Sequence, residues 1–441
     1  MKYGIILPVG NGKARKALVL LLLAALLATA AANLSACGQN AQQTGAAIGT
    51  GLVVGGLFAA MVKNPGTMPT TTAPGSTTTT TMTTTTGGSG TSTTTVTFST
   101  TTVTIVTPAG TFSLQNIDNT GTAAWDIYAS LALDSRNLAH ISYYYQFSED
   151  LKFAFGSFET WAIETVKSAD SVGQYSSIAL DSRGKNRISY YDRTLGALGY
   201  ASDAGGDWQF TLIDDPSGAD VGFYTSIAVD SRDKVHICYY DVTNHDLKYA
   251  TDKDGGWQTE VVDGAGITAG KDCAITIDGS DVPHISYIDE TNERVRHAYG
   301  GLGSWNFDIV DVPIKGAFTS IKVDALGQVH ITYYDTQSLR LRYAKKAEGY
   351  WTQTTVDASG NVGQRSSLAL NSAGAPRVTY YDSTNTALKY ARLDGGSWTS
   401  GTLDSTGNVG EDSTLAIDTA GKAHICYHDA TNYLLKYAVE Q

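Results

Sequence analysis

The side chains with the most chemical capacity lie in a recurring segment that ends Tyr-Tyr-Asp and is followed in several copies by Thr-Asn. Six copies close on an acid, at Asp192, Asp241, Asp289, Asp335, Asp382 and Asp429, whereas the remaining copy carries Tyr145 there. Four of the six hold an amide three residues later, at Asn244, Asn292, Asn385 and Asn432. Aromatic faces for apolar C–H patches, beside fixed carboxylates and amides for hydroxyls, are the tools of sugar recognition. Repetition would add weak sites into avidity. The same residues also have a structural use, since Asp before Thr-Asn at a hairpin tip can accept backbone N–H bonds and close the turn. Residues present in every copy point to scaffold, and specificity is then sought where one copy departs from the rest, at Tyr145, His245, Ile288, His297 and His428.

Catalytic chemistry has few candidates. His245 and His428 are the histidines on the side of the repeat that would carry an acid–base pair, but they belong to the third and seventh copies and would have to meet across the molecule. A second polar position holds His140, His236, His284, His330 and His424, with Arg187 and Arg377 in the other two copies. One His per copy lacks the converging ligands that zinc needs, and Arg stands where no ligand could. The expectation is a buried hydrogen-bond donor facing the preceding acid, with no metal and no cofactor. Nucleophile elbows, phosphate-binding Gly loops and Cys/His clusters are absent from the sequence.

The elements that position these residues follow from the repeat. An acid or amide ends each copy of a Ser-Ile-Ala-Leu-Asp-like run, at Asp134, Asp181, Asp230, Asp278, Asp324, Asn371 and Asp418, spaced 46 to 49 residues apart. Such a period, built of short strands and turns, predicts propeller blades. Each copy reads as a Trp-led strand, a Gly-rich loop, the Ser-Ile-Ala strand, an Asx turn, the Tyr-Tyr-Asp strand and a Leu-Lys-Tyr-Ala strand. The fold class is therefore all-β, a seven-bladed β-propeller of four-stranded antiparallel blades. The first copy opens at Phe112–Asp118 and the last stops at Ala438, so both termini should complete one blade and close the ring. Ala201 to Trp208 resembles the Asp-box of sialidase-type propellers, with Ala in place of the leading Ser or Thr. That resemblance implies a hairpin tied by Asp203 and a Trp packed between blades, and no catalytic role; a glycosidase-like or polysaccharide-lyase propeller is the enzymatic alternative.

The net charge of −12 and pI near 5.1 leave no basic footprint for nucleic acid. Lys13, Arg15 and Lys16 before an apolar run ending at Ala32 form a secretory signal. Leu34-Ser35-Ala36-Cys37 resembles the lipobox of bacterial lipoproteins, which implies cleavage before Cys37, lipidation of its thiol and anchoring in the outer membrane or at the cell surface. Residues 1–36 are thus read as signal, 37–66 as lipidated Cys with an apolar Gly/Ala segment, 67–108 as a Thr-rich linker and 109–441 as the propeller. Cys238, Cys273 and Cys426 read as buried thiols, with a bridge between the neighbouring copies carrying Cys238 and Cys273 the other option. The expected partners are the membrane, through the anchor, and a glycan or envelope protein bound by a monomeric head, with scaffolding of an envelope complex as a further alternative.

Overall fold

The computed structural model describes residues 94–95 and 103–441, except 122–125, 159, 169–170 and 216–217. The signal, Cys37, the apolar segment at 45–62 and most of the Thr-rich stretch lie outside the described residues. Seven antiparallel sheets follow one another, and blades are numbered here by their inner strands: Ser130–Leu133, Val172–Leu180, Val221–Val229, Ala269–Ile277, Gly316–Val323, Val362–Leu370 and Val409–Ile417. Each blade runs outward from its inner strand through three more strands. The second strands are covered on both faces by neighbouring blades, so Val235–Asp241 and Val329–Asp335 are buried at every position and show no alternation.

Ring closure follows the predicted phase. Blade 7 takes its outer strand, Gly110–Asn119, from the N-terminal side and its inner three from the C-terminus. Two additions escape the repeat. Val103–Thr107 pairs with Gly110–Leu114 as a fifth strand of blade 7, and Thr94–Thr95 pairs with Ala162–Ile163 on the edge of blade 1. Composition placed residues 103–107 in the linker, but Val-Thr-Ile-Val-Thr is β-branched throughout, and Ile105 packs onto the blade 7 core.

Four devices lie from rim to axis at the blade junctions, the outer two at every junction and the inner two at some of them only. At the rim a Trp meets the preceding blade's aromatic edge-on, as in Trp257–Tyr200 at 5.0 Å and Trp161–Tyr437 at 5.0 Å. Phe112 fills the Trp position at the closing junction, 5.1 Å from Tyr390. Further in, the first Tyr of the Tyr-Tyr pair donates to an Asp ending the preceding blade's outer strand, at 2.6 Å in Tyr143–Asp118, Tyr239–Asp214 and Tyr287–Asp263. A Lys or Arg joins each of these acids, such as Lys152 at 3.0 Å from Asp118. Between blades 1 and 2 the charges are exchanged: Lys167 takes the acid's place and bonds Tyr190 and Asp192, while Gly199 takes the cation's place. Nearer the axis, paired hydroxyls touch across junctions, Ser189 with Thr225 at 2.7 Å and Ser286 with Thr319 at 2.8 Å. Innermost, a Ser Oγ accepts the main-chain N–H of the next blade's Ile or Leu, as Ser130 does from Ile178 at 3.1 Å.

The glycine that stands second in five of the inner strands, after Val or Ala, is explained by the same packing. Gly173, Gly222, Gly270, Gly363 and Gly410 adopt φ of 102–109°, and a Cβ there would lie within 3.0 Å of the Leu backbone of the preceding blade. Only glycine serves at such a point. The Asp-box expectation also holds in geometry: Asp203 accepts the Asn186 N–H at 2.7 Å and ties the outer hairpin to the second strand.

Cys238 and Cys273 occupy a hydroxyl-pair position at the junction of blades 3 and 4 as free buried thiols, and the Cys273 thiol donates to the Tyr224 carbonyl at 3.3 Å. Burial, then the neighbouring Cys238 thiol, pushes the Cys273 thiol well above its ordinary range. Alkylation of the native protein at pH 8 should therefore leave Cys238, Cys273 and Cys426 unlabelled, with rapid labelling of all three in denaturant; peptide mass mapping reads the difference, and fast native labelling would refute it.

Candidate functional site at the channel mouth

The repeated Asp and Asn residues close their own hairpins. Asn244 donates its backbone N–H to Asp241 at 2.8 Å and its amide at 2.9 Å, and Asn292–Asp289, Asn385–Asp382 and Asn432–Asp429 repeat the pattern. Asp335 accepts from Gln337 and Ser338, and Asp192 accepts from Leu195 and Lys167. These carboxylates are buried, while the four Asn residues sit at the hairpin tips. The Thr of each Thr-Asn ties the hairpin to a second loop, because the Oγ1 of Thr243, Thr291, Thr384 and Thr431 accepts a backbone N–H from the segment entering the inner strand. Sites of this kind stay one per blade, and the structure does not bring them together.

The residues that break the repeat are likewise dispersed. His245 is exposed on the blade 3 hairpin, 2.9 Å from the Tyr240 hydroxyl. His428 is fully buried in blade 7, with Nε2 3.5 Å from the Thr120 hydroxyl and no partner for Nδ1. Ile288 joins the core between blades 4 and 5, and Tyr145 lies under the Lys152 ammonium at 4.0 Å. His297 takes the rim aromatic position against Trp351. Three of the five His residues meet the donor expectation, with Nε2 of His284, His330 and His424 at 3.2–3.3 Å from the marker acids, as Arg187 is at 3.0 Å; Nε2 of His140 and His236 faces its acid at 3.9 and 3.5 Å without a hydrogen bond. Where Asn371 replaces the acid, Arg377 turns to Asp394 at 3.0 Å.

What does converge is a ring that no repeat motif announced. Two residues after the glycine that stands second in five inner strands, or after its counterparts Gly316 in blade 5 and Asp126 in blade 1, the chain bulges, and one side chain per blade is thrown to the mouth of the central channel. These are Tyr128, Tyr175, Tyr224, Asp272, Phe318, Arg365 and Asp412, all left-handed with φ of 47–54°. Such a φ is uncommon for residues with a Cβ and persists here because the bulge is pinned by pairing on both sides. The backbone repeats in all seven blades; the side chains do not. They surround a cavity of about 530 Å³.

The ring has an aromatic arc and a charged arc. Tyr128, Tyr175 and Tyr224 follow one another with centroids 4.5 and 5.0 Å apart, and Phe223, Tyr191, Tyr144 and Tyr240 extend the patch outward. On the opposite side Arg365 bonds Asp126 at 2.7 Å and Asp412, and sits 5.6 Å over the Phe318 ring. Asp412 also accepts the main-chain N–H groups of Ile127 and Tyr128 at 2.8 and 3.0 Å, and Asp272 accepts that of Phe318 at 2.9 Å. Each of these two acids thereby fixes the entry of the next blade.

Burial, reinforced by Asp412 and opposed by Arg365, lifts the Asp126 carboxyl to about 6. Burial works against the Arg365 charge, but Asp412 and Asp126 outweigh it and hold the guanidinium protonated. Burial raises all three tyrosines, so they remain neutral phenols that offer faces and O–H donors. Arg365→Ala removes the cation that binds Asp126 and Asp412; a loss of about 2–4 kcal/mol of stability at pH 7, read by denaturant melts and smaller at pH 5 as Asp126 protonates, is the expected result. An equal loss at both pH values would show that Arg365 acts by packing alone.

No protein-family model and no curated protein sequence matches the chain. Solved structures similar to it include an ulvan lyase, a polysaccharide lyase, at 12% identity and TM-score 0.48, covering 77% of this chain and 96% of the other. The Aleuria aurantia lectin in complex with Fucα1-6GlcNAc matches at 13% identity and TM-score 0.44, over 63% of this chain and 95% of the lectin. A leech intramolecular trans-sialidase matches at 13% identity and TM-score 0.42, over 74% of this chain and 70% of the other.

Proposed function

We propose that the channel mouth is a glycan-binding site and that the protein is a non-catalytic binding head, held at the bacterial envelope by a lipid on Cys37 and spaced from it by the Thr-rich stretch. The observation that supports this reading is the seven-membered ring itself: a shared left-handed backbone, non-identical side chains, and three adjacent phenols facing Phe318, Arg365 and two carboxylates, with Asp126 beside them as a third. The faces of the neighbouring tyrosines accept the apolar side of a pyranose, and the acids with Arg365 fix hydroxyl directions. The binding reading is preferred to catalysis because the two histidines that could serve as acid and base are separated, one exposed on blade 3 and one sealed in blade 7.

Glycan-array screening of the purified protein, followed by calorimetry on the best ligand, tests the reading. Tyr175→Ala and Tyr224→Ala should each weaken binding at least about tenfold, the loss of one stacked ring. Incubation with the bound polymer should release no new ends. Product release abolished by His428→Ala, or affinity indifferent to both tyrosines, would overturn the proposal.

A further inference from the structure

Below the mouth the channel is built in layers, one side chain per blade. The first layer beneath the ring is Ser130, Ser177, Ser226, Ala274, Ser320, Ser367 and Thr414. The next is Ala132, Ala179, Ala228, Thr276, Lys322, Ala369 and Ala416. Lys322 stands alone where five blades carry Ala and one carries Thr. It lines both the upper cavity and a lower one of about 540 Å³, whose other walls are aliphatic apart from Thr276. Among the described residues no carboxylate or acceptor is placed on its ammonium, and burial alone lowers its proton affinity. A partly buried cation without a partner costs stability, and nothing in the packing of blade 5 requires it.

The layer above supplies the complement. The Oγ atoms of Ser130, Ser177, Ser226, Ser320 and Ser367 each accept a main-chain N–H from the following blade, at 3.1–3.3 Å. That uses the oxygen as acceptor and leaves the hydroxyl proton to be donated. Five such donors ring the axis, on blades 1, 2, 3, 5 and 6, one layer above that of Lys322, and share the upper cavity with it. Several O–H donors arranged around one fixed positive charge suit an acceptor with several oxygens better than a monatomic ion. We propose that the waist of the channel, between Lys322 and the serine ring, is a binding site for a compact oxyanion, either free or as the acidic group of a ligand entering through the mouth. The acids Asp126, Asp272 and Asp412 guard that entrance, and Arg365 is the mouth cation that offsets them.

Thermal melts of the full chain in low-salt buffer test the site, with sodium sulfate, sodium phosphate and sodium glucuronate as probes and sodium chloride at matched ionic strength as control. Saturating sulfate or phosphate should raise the Tm of the natural protein by about 5 °C over chloride. Lys322→Met should melt higher than the natural protein without added anion, because the unpartnered charge is gone, and should lose the oxyanion response. Lys322→Arg should keep that response. Stabilisation by glucuronate alone would assign the site to the carboxylate of a larger ligand. An equal response in Lys322→Met, or no probe exceeding chloride, would overturn the proposal. Neither outcome bears on the tyrosine variants of the mouth, so this site and the glycan site stand or fall separately.

Discussion

Deleting residues 109–120 is expected to abolish cooperative folding of the whole propeller, although the segment is a small part of the chain. It contributes the fourth strand of blade 7, on which the fifth strand depends. Phe112, Leu114 and Ile117 are buried there at 0%, 6% and 1% exposure, and Asp118 clasps Tyr143 and Lys152 of blade 1. Three buried apolar side chains contribute about 6 kcal/mol at roughly 2 kcal/mol each. Domain stability as a whole is about 5–15 kcal/mol, so the remainder is marginal before the open sheet edge is counted. Circular dichroism melts should show no sharp transition, or one lowered by more than about 15 °C. A deletion variant melting as the natural protein does would refute closure through this strand.

Acidification is the second large lever. Seven histidines, His140, His236, His284, His297, His330, His424 and His428, are pushed below their ordinary value, in each case first by burial. For His284 the value falls to about 4, with the nearby His297 adding to burial. The unfolded chain takes up protons near pH 6.5 that the folded chain refuses, so this stability is complete above pH 6.5 and is lost as pH falls. Between pH 7 and pH 5 His284 alone accounts for about 2 kcal/mol. Asp126, Asp246 and Asp272, raised by burial, act in the opposite sense, since their charged forms are disfavoured in the fold and protonation relieves it. Three acids do not offset seven histidines, and Tm should drop by about 5 °C or more from pH 7 to pH 5. A flat profile over that interval would mean that the histidines are charged in place.

The blades were legible because seven copies of one text cancel local ambiguity. The Trp positions, the marker acids and the His that faces them each recur, and each proved to be a contact between or within blades. The closing blade was legible too, since Phe112 stands one period before Trp161. Val103–Thr107 was hidden by threonine, whose polarity reads as linker while its branching reads as strand. The mouth ring was hidden for a different reason. Tyr, Tyr, Tyr, Asp, Phe, Arg and Asp at one register look like loop variation, and only the shared left-handed backbone shows them to be a single set. A signal existed nonetheless, because the variable position lies two residues after a glycine found in six of the seven copies and just before the Ser-Ile-like run. Lys322 could have been found in the same way, as the one charged residue in a column of alanines.

The bulge that creates the ring separates two demands that most binding sites must reconcile. Its geometry is enforced from outside, by the strand beside it and in six blades by a glycine behind it, so the backbone keeps one shape whatever side chain it presents. Asp272, Arg365 and Asp412 also tie neighbouring blades, whereas the aromatic positions let identity change at less cost to those ties, and all seven face a common axis. On the proposed reading, specificity in this head is written in a seven-letter word, some of whose letters also hold the blades together.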